Sequence, residues 1–227
     1  TSQRVAGILL CSTGLSGDEI RVMVPRNIEV IMLDEEIPDF GGDIVIGDDL
    51  VGGYLGAEYL YGLGHERILI IKAPESLSSC QNRLNGFRTY AHDHEKFLDT
   101  RLMVGGDFSL ESGYDAVKRA LARHAKFTAI FSFNDLMAIG AIKALYEQHY
   151  RVPEDISVLG YDNIFIDELV TPRITTVATP LEALGKLAVK KLVHNTTMKD
   201  RQHGTHVRLK PKLIIRDSCG APSQAMN

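Results

Sequence analysis

The sequence predicts an α/β fold built on parallel, doubly wound β-sheet. Along its 227 residues, short apolar runs alternate with longer amphipathic segments, and polar turns separate them. The apolar runs are continuous, which is typical of strands that are covered by helices on both faces. A regular alternation of strands and helices indicates βαβ units, and the strands of such units are parallel.

Six apolar runs are predicted to be strands, and five amphipathic segments are predicted to be helices. The strands are at 5–10, 30–33, 44–46, 67–71, 129–133 and 157–161. Helical periodicity places the helices at 52–63, 82–94, 111–123, 135–148 and 181–195. Gly62 and Gly64 end the first helix just before a strand, and Pro153 breaks the chain between the fourth helix and the strand at 157–161. Residues 221–227 carry no periodic pattern and predict a frayed tail.

The composition is that of a globular protein without an evident nucleic-acid surface. Hydrophobic residues make up 44% of the chain and charged residues 24%, which is enough to bury a core and excludes wholesale disorder. The formal net charge of −4 provides no broad basic field for nucleic acid. Lysine and arginine do accumulate between residues 186 and 216, but they are scattered, and we interpret them as solvated helix and strand faces.

Cysteine usage and hydropathy favour a soluble, cytoplasmic protein. Cys11, Cys80 and Cys219 cannot all pair within one chain, and none has metal-ligand spacing. No apolar run approaches the ~18 residues of a membrane span, and no signal segment is recognisable. The sequence also lacks a phosphate loop, a nucleophile elbow and an identifiable acid–base pair. We therefore expect neither an enzyme nor a resident cofactor or metal.

Three polar residues follow predicted strands at their carboxyl ends. Arg83 follows 67–71 across a loop, whereas Asn134 and Asp162 come directly after their strands. In an open parallel sheet, ligands bind outside the carboxyl ends of the strands. A guanidinium, an amide and a carboxylate there suit a hydroxyl-rich ligand or the edge of a nucleobase. The alternative is local structure, in which Asn134 and Asp162 cap helices and Arg83 lies on the surface. Asp34 occupies the corresponding place after 30–33.

Six short motifs follow one another along the chain between Asp48 and Val177. In order they are Asp48-Asp49 with Gly52-Gly53-Tyr54 and Leu63-Gly64-His65-Glu66-Arg67-Ile68; Arg83-Leu84-Asn85-Gly86-Phe87; Gly106-Asp107-Phe108-Ser109 with Glu111-Ser112-Gly113-Tyr114; Thr128-Ala129-Ile130-Phe131 with Asn134-Asp135-Leu136-Met137-Ala138-Ile139-Gly140; Val152-Pro153 through Asp162-Asn163; and Thr171-Pro172 with Ile174-Thr175-Thr176-Val177. In this order they resemble the LacI/GalR family of bacterial transcription regulators, and the resemblance extends from about Val5 to Ser218. Each motif alone is weak, but all of them in the order of the family are specific.

The resemblance implies a two-lobed fold like that of the periplasmic sugar-binding proteins, with a cleft between the lobes that holds an effector. By that analogy the first lobe comprises residues 1–46 and 178–207, and the second comprises 47–177 and 208–220. In the family, two further βα units precede the strand matched by 5–10, and a helix-turn-helix domain precedes those. We expect both to lie outside this chain, which leaves the first lobe incomplete at its N-terminal side.

The same resemblance assigns roles to five residues. Arg83, Asn134 and Asp162 match effector contacts of the second lobe. Phe108 matches an aromatic residue that packs on the ligand, although a core position is the alternative. Asp34 matches a contact from the first lobe, with ordinary turn chemistry at a strand end as its alternative.

The segment between Asp162 and Pro172 is strongly apolar for a connection. Loops are normally solvated, so we expect this surplus of apolar surface to be covered, either by internal packing or by a second copy of the chain. The family precedent favours a two-fold homodimer. The predicted interface residues are Phe165, Leu169 and Val170, together with Ile139 and Ile142 from the helix at 135–148.

These features predict the effector-sensing domain of a bacterial transcription repressor. A small molecule, with a sugar favoured and a purine or nucleoside as the other option, would shift the relative orientation of the lobes. Operator DNA would be contacted only through the helix-turn-helix domain outside this chain. The alternative is a periplasmic sugar-binding protein of a transport system, which shares the fold. The motifs at 152–163 and 172–177 favour the repressor.

Overall fold

The computed structural model describes residues 5–11, 15–197 and 204–223, and these form two compact units. The first consists of the chain up to Asp48, Ser76–Ser79 and Pro180–Lys210. The second consists of Asp49–Glu75, Cys80–Thr179 and the chain from Pro211 onwards. Residues 224–227 of the predicted tail lie outside the described residues.

The described residues form ten strands and six α-helices, with two short 3-10 turns at Thr100–Leu102 and Phe165–Glu168. In chain order the elements are β1 (Gly7–Cys11), α1 (Gly17–Met23), β2 (Glu29–Leu33), β3 (Asp43–Gly47), α2 (Asp49–Gly62), β4 (Ile68–Lys72), α3 (Ser78–Asp93), β5 (Met103–Gly105), α4 (Leu110–Ala122), β6 (Ala129–Ser132), α5 (Asp135–Glu147), β7 (Ser157–Tyr161), β8 (Thr175–Ala178), α6 (Leu181–Thr197), β9 (His206–Leu209) and β10 (Lys212–Ile214). The predicted α/β class with parallel sheets is confirmed. All six predicted strands and all five predicted helices are present, with ends displaced by at most four residues.

The first unit contains a four-stranded parallel sheet in the order β1-β2-β3-β9. Ile31 and Val45 on its central strands are buried against Leu184 and Ala188 of α6. These two helix residues lie four positions apart and share one face, as an amphipathic helix on a sheet requires.

The second unit contains a six-stranded sheet in the order β10-β8-β7-β6-β4-β5. Every pairing is parallel except that of β10 with β8, which is antiparallel. The chain leaves β4 towards β5 on one side and leaves β6 towards β7 on the other, so the connections diverge between the adjacent strands β4 and β6. Such a switch point opens a crevice at the carboxyl ends of the strands, where ligands bind in open α/β sheets.

Two glycines bring α2 and α3 into backbone contact and so place the start of α3. A Cβ atom on Gly53 would lie 1.9 Å from the carbonyl oxygen of Arg83, and one on Gly86 would lie 1.9 Å from that of Leu50. Both neighbours are backbone atoms that cannot rotate away. The family motifs that contain these glycines therefore encode a close helix crossing that fixes the position of Arg83.

In the part of the chain that the structure describes, no helix combines the length and the apolar character needed to cross a membrane.

Candidate functional site

Arg83 is buried at the carboxyl edge of the second sheet. It bonds to one group at the start of α2, one that follows β6 and one that follows β7. Its Nε donates to Asp49 Oδ1 at 2.8 Å, Nη1 donates to the carbonyl oxygen of Phe133, and Nη2 donates to Asp162 Oδ1 at 3.2 Å. The guanidinium carbon lies 3.7 Å from the ring centroid of Tyr161. These bonds use three of the five N–H groups of the guanidinium, and Nη1 and Nη2 each carry one more.

The positive charge of Arg83 is offset by two neighbouring carboxyl groups, those of Asp49 and Asp162. Burial alone would lower the pKa of Arg83, but Asp162 and Asp49 raise it well above its usual range, so the guanidinium is always charged. Burial raises the pKa of Asp162, and Arg83 opposes that rise. One cation and two carboxyl groups leave no surplus of positive charge at this edge of the sheet.

Asp162 is the most accessible member of the cluster. It follows β7 directly with a φ of +100°, and 28% of its side-chain surface is exposed. Its bonds with Arg83 and with the Thr179 hydroxyl, the latter at 3.5 Å, both go to Oδ1. Asp162 is therefore a salt-bridge partner of Arg83 and not the helix cap of the alternative interpretation. Its second carboxylate oxygen, Oδ2, bonds to neither Arg83 nor Thr179.

Asn134 follows Phe133, whose carbonyl oxygen accepts from Arg83, and its side chain bonds to the backbone of Phe108. Its Oδ1 accepts the backbone N–H of Met137 at 2.9 Å and caps α5, and its Nδ2 donates to the carbonyl oxygen of Phe108 at 2.9 Å. Phe108 is only partly buried and has a φ of +70°. A left-handed backbone costs a residue with a Cβ about 1–2 kcal/mol, so Asn134 holds the phenylalanine in a strained presentation. The capping alternative for Asn134 is thus observed, and its contact with an effector stays a prediction.

Asp34 lies in the first unit, directly after β2. Its φ is +62° and its N–H donates to the carbonyl oxygen of Val45 at 3.1 Å. The bond continues the parallel pairing of β2 with β3, and the positive φ is the feature that fits the alternative of a turn at the strand end. The role of Asp34 as a first-lobe contact stays a prediction.

Residues 57–219 match the family described as the periplasmic binding protein-like domain. The chain belongs to this family.

Individual relatives of this binding-protein-like domain are transcription regulators. The chain is 34% identical over 217 residues to the ribose operon repressor of Escherichia coli (strain K12), which covers 95% of this chain and 66% of that protein. It is 32% identical over 219 residues to the HTH-type transcriptional repressor PurR of Vibrio vulnificus (strain CMCP6), which covers 95% of this chain and 65% of that protein. The chain thus spans about two thirds of the length of these relatives.

A solved structure that resembles this chain is also that of a transcription regulator. The crystal structure of a LacI family transcriptional regulator from Enterococcus faecium with bound ribose matches with a TM-score of 0.88 and 27% identity, covering 96% of this chain and 81% of that chain. The resemblance to LacI/GalR regulators is therefore confirmed.

Two residues that bond within the cluster, Asp49 and Tyr161, were not predicted as site residues. Asp49 accepts from Arg83 and from the hydroxyl of Tyr161, and that hydroxyl fits only because Gly52 has no side chain: a Cβ there would lie 1.8 Å from it. A buried guanidinium needs more than one anionic or carbonyl partner. The Asp48-Asp49 pair at the head of a motif was the available signal, but the sequence alone does not tell which aspartate faces Arg83.

The predicted interface residues differ in how much of their surface is exposed. Phe165 and Leu169 are exposed, with 81% and 65% of their surfaces accessible. Ile139 and Val170 are partly buried. Ile142 is only 6% exposed and belongs to the core of the second unit, so it presents little surface to a partner.

Among residues 5–11, 15–197 and 204–223, no group of three or more histidine, cysteine, aspartate and glutamate side chains is arranged to hold a metal ion.

Proposed function

We propose that the chain is the effector-binding domain of a bacterial transcription repressor, and that its effector is a neutral sugar bound at the carboxyl edge of the second sheet. The observation that carries this proposal is the buried Arg83, fixed by Asp49 and Phe133 and paired with the partly exposed Asp162. Fixed polar groups of this kind cost no reorganisation when a ligand binds.

The donors and acceptors suit a vicinal diol. The second hydrogens of Arg83 Nη1 and Nη2 can donate to hydroxyl oxygens, and Asp162 Oδ2 can accept from hydroxyl groups. Phe108 supplies an apolar ring for the C–H face of a pyranose or furanose. These roles for Arg83, Asp162 and Phe108, and that of Asn134 as a further contact, are proposals supported by the geometry of the cluster.

The charge of the cluster favours a neutral ligand over an anionic one. Arg83 is already matched by two carboxyl groups, so a phosphate ester would meet no unmatched cation in this cluster. The bound ribose in the Enterococcus faecium relative and the ribose operon repressor support a sugar. A purine or nucleoside is the second candidate, since a carboxylate can also accept from a nucleobase.

The names of the relatives support a role in transcription regulation. We propose that the protein acts in the cytoplasm as a homodimer and contacts operator DNA through a helix-turn-helix domain outside this chain. The relatives are named as transcription regulators, and Phe165 and Leu169 offer exposed apolar surface for a second copy. No turnover of the bound effector is expected. The lobe boundaries predicted from the resemblance stay a prediction.

A thermal-melt screen tests the effector class. D-ribose and other neutral sugars, ribose 5-phosphate, nucleosides and purines would be compared at matched concentrations. A ligand at one hundred times its dissociation constant stabilises the folded protein by about 2.7 kcal/mol. We expect a neutral sugar to raise the melting temperature and its phosphate ester to bind at least tenfold more weakly. Preferential binding of the phosphate ester, or of a purine alone, would overturn the assignment of a neutral sugar.

A further inference from the structure

Two carboxyl groups meet in the interior of the second unit, beneath the segment that follows Asp162. Asp135 is the first residue of α5, and Asp167 lies on the 3-10 turn Phe165–Glu168. Neither has any exposed surface. Among the described residues, neither oxygen of Asp167 has an N–H or O–H donor within hydrogen-bond geometry. The backbone N–H of Ile164 and the charge of Arg216 favour its ionised form, but that N–H donates to Asp135 Oδ2 instead, at 3.1 Å. A buried carboxylate without a donor is strongly disfavoured.

A single proton resolves this anomaly. Two ionised carboxylates cannot hydrogen-bond, but a protonated carboxyl group becomes a donor to its neighbour. Burial raises the pKa of both Asp135 and Asp167, and the charge of Asp167 raises the pKa of Asp135 further. Because the two groups titrate together, the proton belongs to the pair rather than to one residue.

The charged groups around the pair are already engaged elsewhere. Arg216 Nη1 lies 4.0 Å from Asp167 Oδ2, beyond hydrogen-bond distance. Its guanidinium donates instead to the carbonyl oxygen of Ile174, to Asn163 Oδ1 and to Glu168 Oε1, at 2.7–3.0 Å. Asp162, at the end of β7, disfavours a second negative charge on either member of the pair.

Asp135 also fastens the backbone next to Asp162. Its Oδ2 accepts the N–H of Asn163 at 2.6 Å and that of Ile164 at 3.1 Å, while Oδ1 accepts the hydroxyl of Thr176 at 2.7 Å. Asp162 and Asn163 have successive positive φ values of +100° and +63°. Two adjacent left-handed residues persist only where the surroundings hold them, and Asp135 supplies two of the bonds that do so.

We propose that Asp135 and Asp167 share one proton at neutral pH and that this proton-bridged pair positions Asp162 in the effector site, by tying the 3-10 turn and the backbone of residues 163–164 to the start of α5. The role assigned to Asp162 rests on the proposed function. The bridge itself is a property of the folded chain and can be measured without any effector.

The first test is the pH dependence of unfolding by urea, compared between wild type and Asp167→Asn. In the unfolded chain both aspartates ionise near pH 4, whereas the folded pair keeps a proton. Folding therefore binds one proton more, and the unfolding equilibrium constant of the wild type should rise tenfold per pH unit between pH 6 and 8, relative to the variant. In Asp167→Asn the amide N–H takes over the donor role without a titrating proton. Glu168→Gln, on the same turn, is the control and should keep the wild-type slope.

The second test is amide hydrogen exchange in the segment. The N–H groups of Asn163 and Ile164 donate to Asp135, and that of Ile174 donates to the carbonyl oxygen of Asp167 at 3.0 Å. The protection factors of these three N–H groups should fall in the wild type once the pH exceeds the pKa at which the pair loses its shared proton. They should stay constant in Asp167→Asn. A role that is merely structural would not produce this difference.

Two outcomes would overturn the proposal: equal pH slopes of unfolding for wild type and Asp167→Asn, or protection factors that fall with rising pH to the same extent in both proteins. If D-ribose binds, its dissociation constant should follow the same transition in the wild type only. If D-ribose does not bind, the assignment of the effector is at fault, and the unfolding and exchange data still decide on the proton bridge.

Discussion

The side-chain amide of Asn134 donates to the carbonyl oxygen of Phe108 at 2.9 Å, and this bond restrains a phenylalanine whose φ is +70°. The same asparagine caps α5 through its other side-chain atom. A helix cap and a strained aromatic residue at the edge of the sheet are therefore held by one side chain. Strained backbone conformations of this kind cluster at ligand-binding sites, where the orientation of a side chain matters more than local stability.

Replacing Phe108 by glycine should separate stability from binding. Glycine adopts a positive φ without a steric penalty, so the loss of ring contacts is offset and the free energy of unfolding should change by less than about 1 kcal/mol. Binding of a sugar should weaken at least tenfold, because the stacking surface is gone. Urea denaturation and calorimetric titration measure the two effects. A Phe108→Gly protein that loses several kcal/mol of stability would show that the ring is part of the core.

Replacing Gly86 by alanine should separate α2 from α3. Its Cβ would lie 1.9 Å from the carbonyl oxygen of Leu50, so one helix must move, and we expect a loss of more than about 2 kcal/mol in the free energy of unfolding. Gly62 in α2 is the matched control, because a Cβ atom there would lie more than 4 Å from every described residue beyond its chain neighbours and the backbone of its own helix. Gly62→Ala should stabilise by up to about 1 kcal/mol. Equal effects at both positions in urea denaturation would contradict the close crossing.

His65 should make the protein less stable at mildly acidic pH. It is buried, its Nε2 donates to the carbonyl oxygen of Gly220 at 2.9 Å, and its Nδ1 accepts from the hydroxyl of Thr128 at 2.9 Å. Burial lowers the pKa of His65, so the native state binds fewer protons than the unfolded chain. Its contribution to stability is present above the unfolded pKa near 6.5 and is lost as pH falls through the lower folded pKa.

His65→Gln should flatten this dependence in urea denaturation between pH 5 and 7, because the amide of glutamine does not titrate. His92→Gln is the control, since His92 is exposed. An unchanged acid limb in His65→Gln would place the titrating group elsewhere.

Phe165→Asp should dissociate the proposed homodimer. Phe165 is 81% exposed, so a charge there does not disturb the fold, but it cannot be buried against a second copy. Phe97, which is 76% exposed and outside the predicted interface, is the matched control. Sedimentation velocity should show a dimer for wild type and Phe97→Asp and a monomer for Phe165→Asp. Ile142 is unsuited to this test, because a charge at that buried position would unfold the second unit.

The sequence predicts the strands and helices that carry strong local patterns. Continuous apolar runs such as Ser157–Tyr161 are unambiguous, whereas β9 shows exposed and partly buried residues in alternation and gives only a weak signal. The short helix α1 is not among the predicted helices, although Ser16 and Glu19 form a capping box that marks its start.

The site was predictable only in part, for a physical reason. Arg83 and Asp162 come together because both follow parallel strands, and the carboxyl ends of such strands lie at one edge of the sheet, which can be inferred from the sequence alone. By contrast, Asp135 and Asp167 lie 32 residues apart in sequence, and their burial side by side depends on how the 3-10 turn folds back over α5. No local pattern reports such a long-range contact.

The central claim is that Asp162 belongs to the effector site, and calorimetric titration of D-ribose tests it most directly. Asp162→Asn keeps the shape of the side chain but weakens the acceptor. Asp155→Asn makes the same change at the other end of the second sheet, where the carboxylate pairs with Arg151 at 2.7 Å. We predict binding to wild type and Asp155→Asn, and at least a tenfold weaker affinity for Asp162→Asn. Equal affinity for all three proteins would contradict the claim.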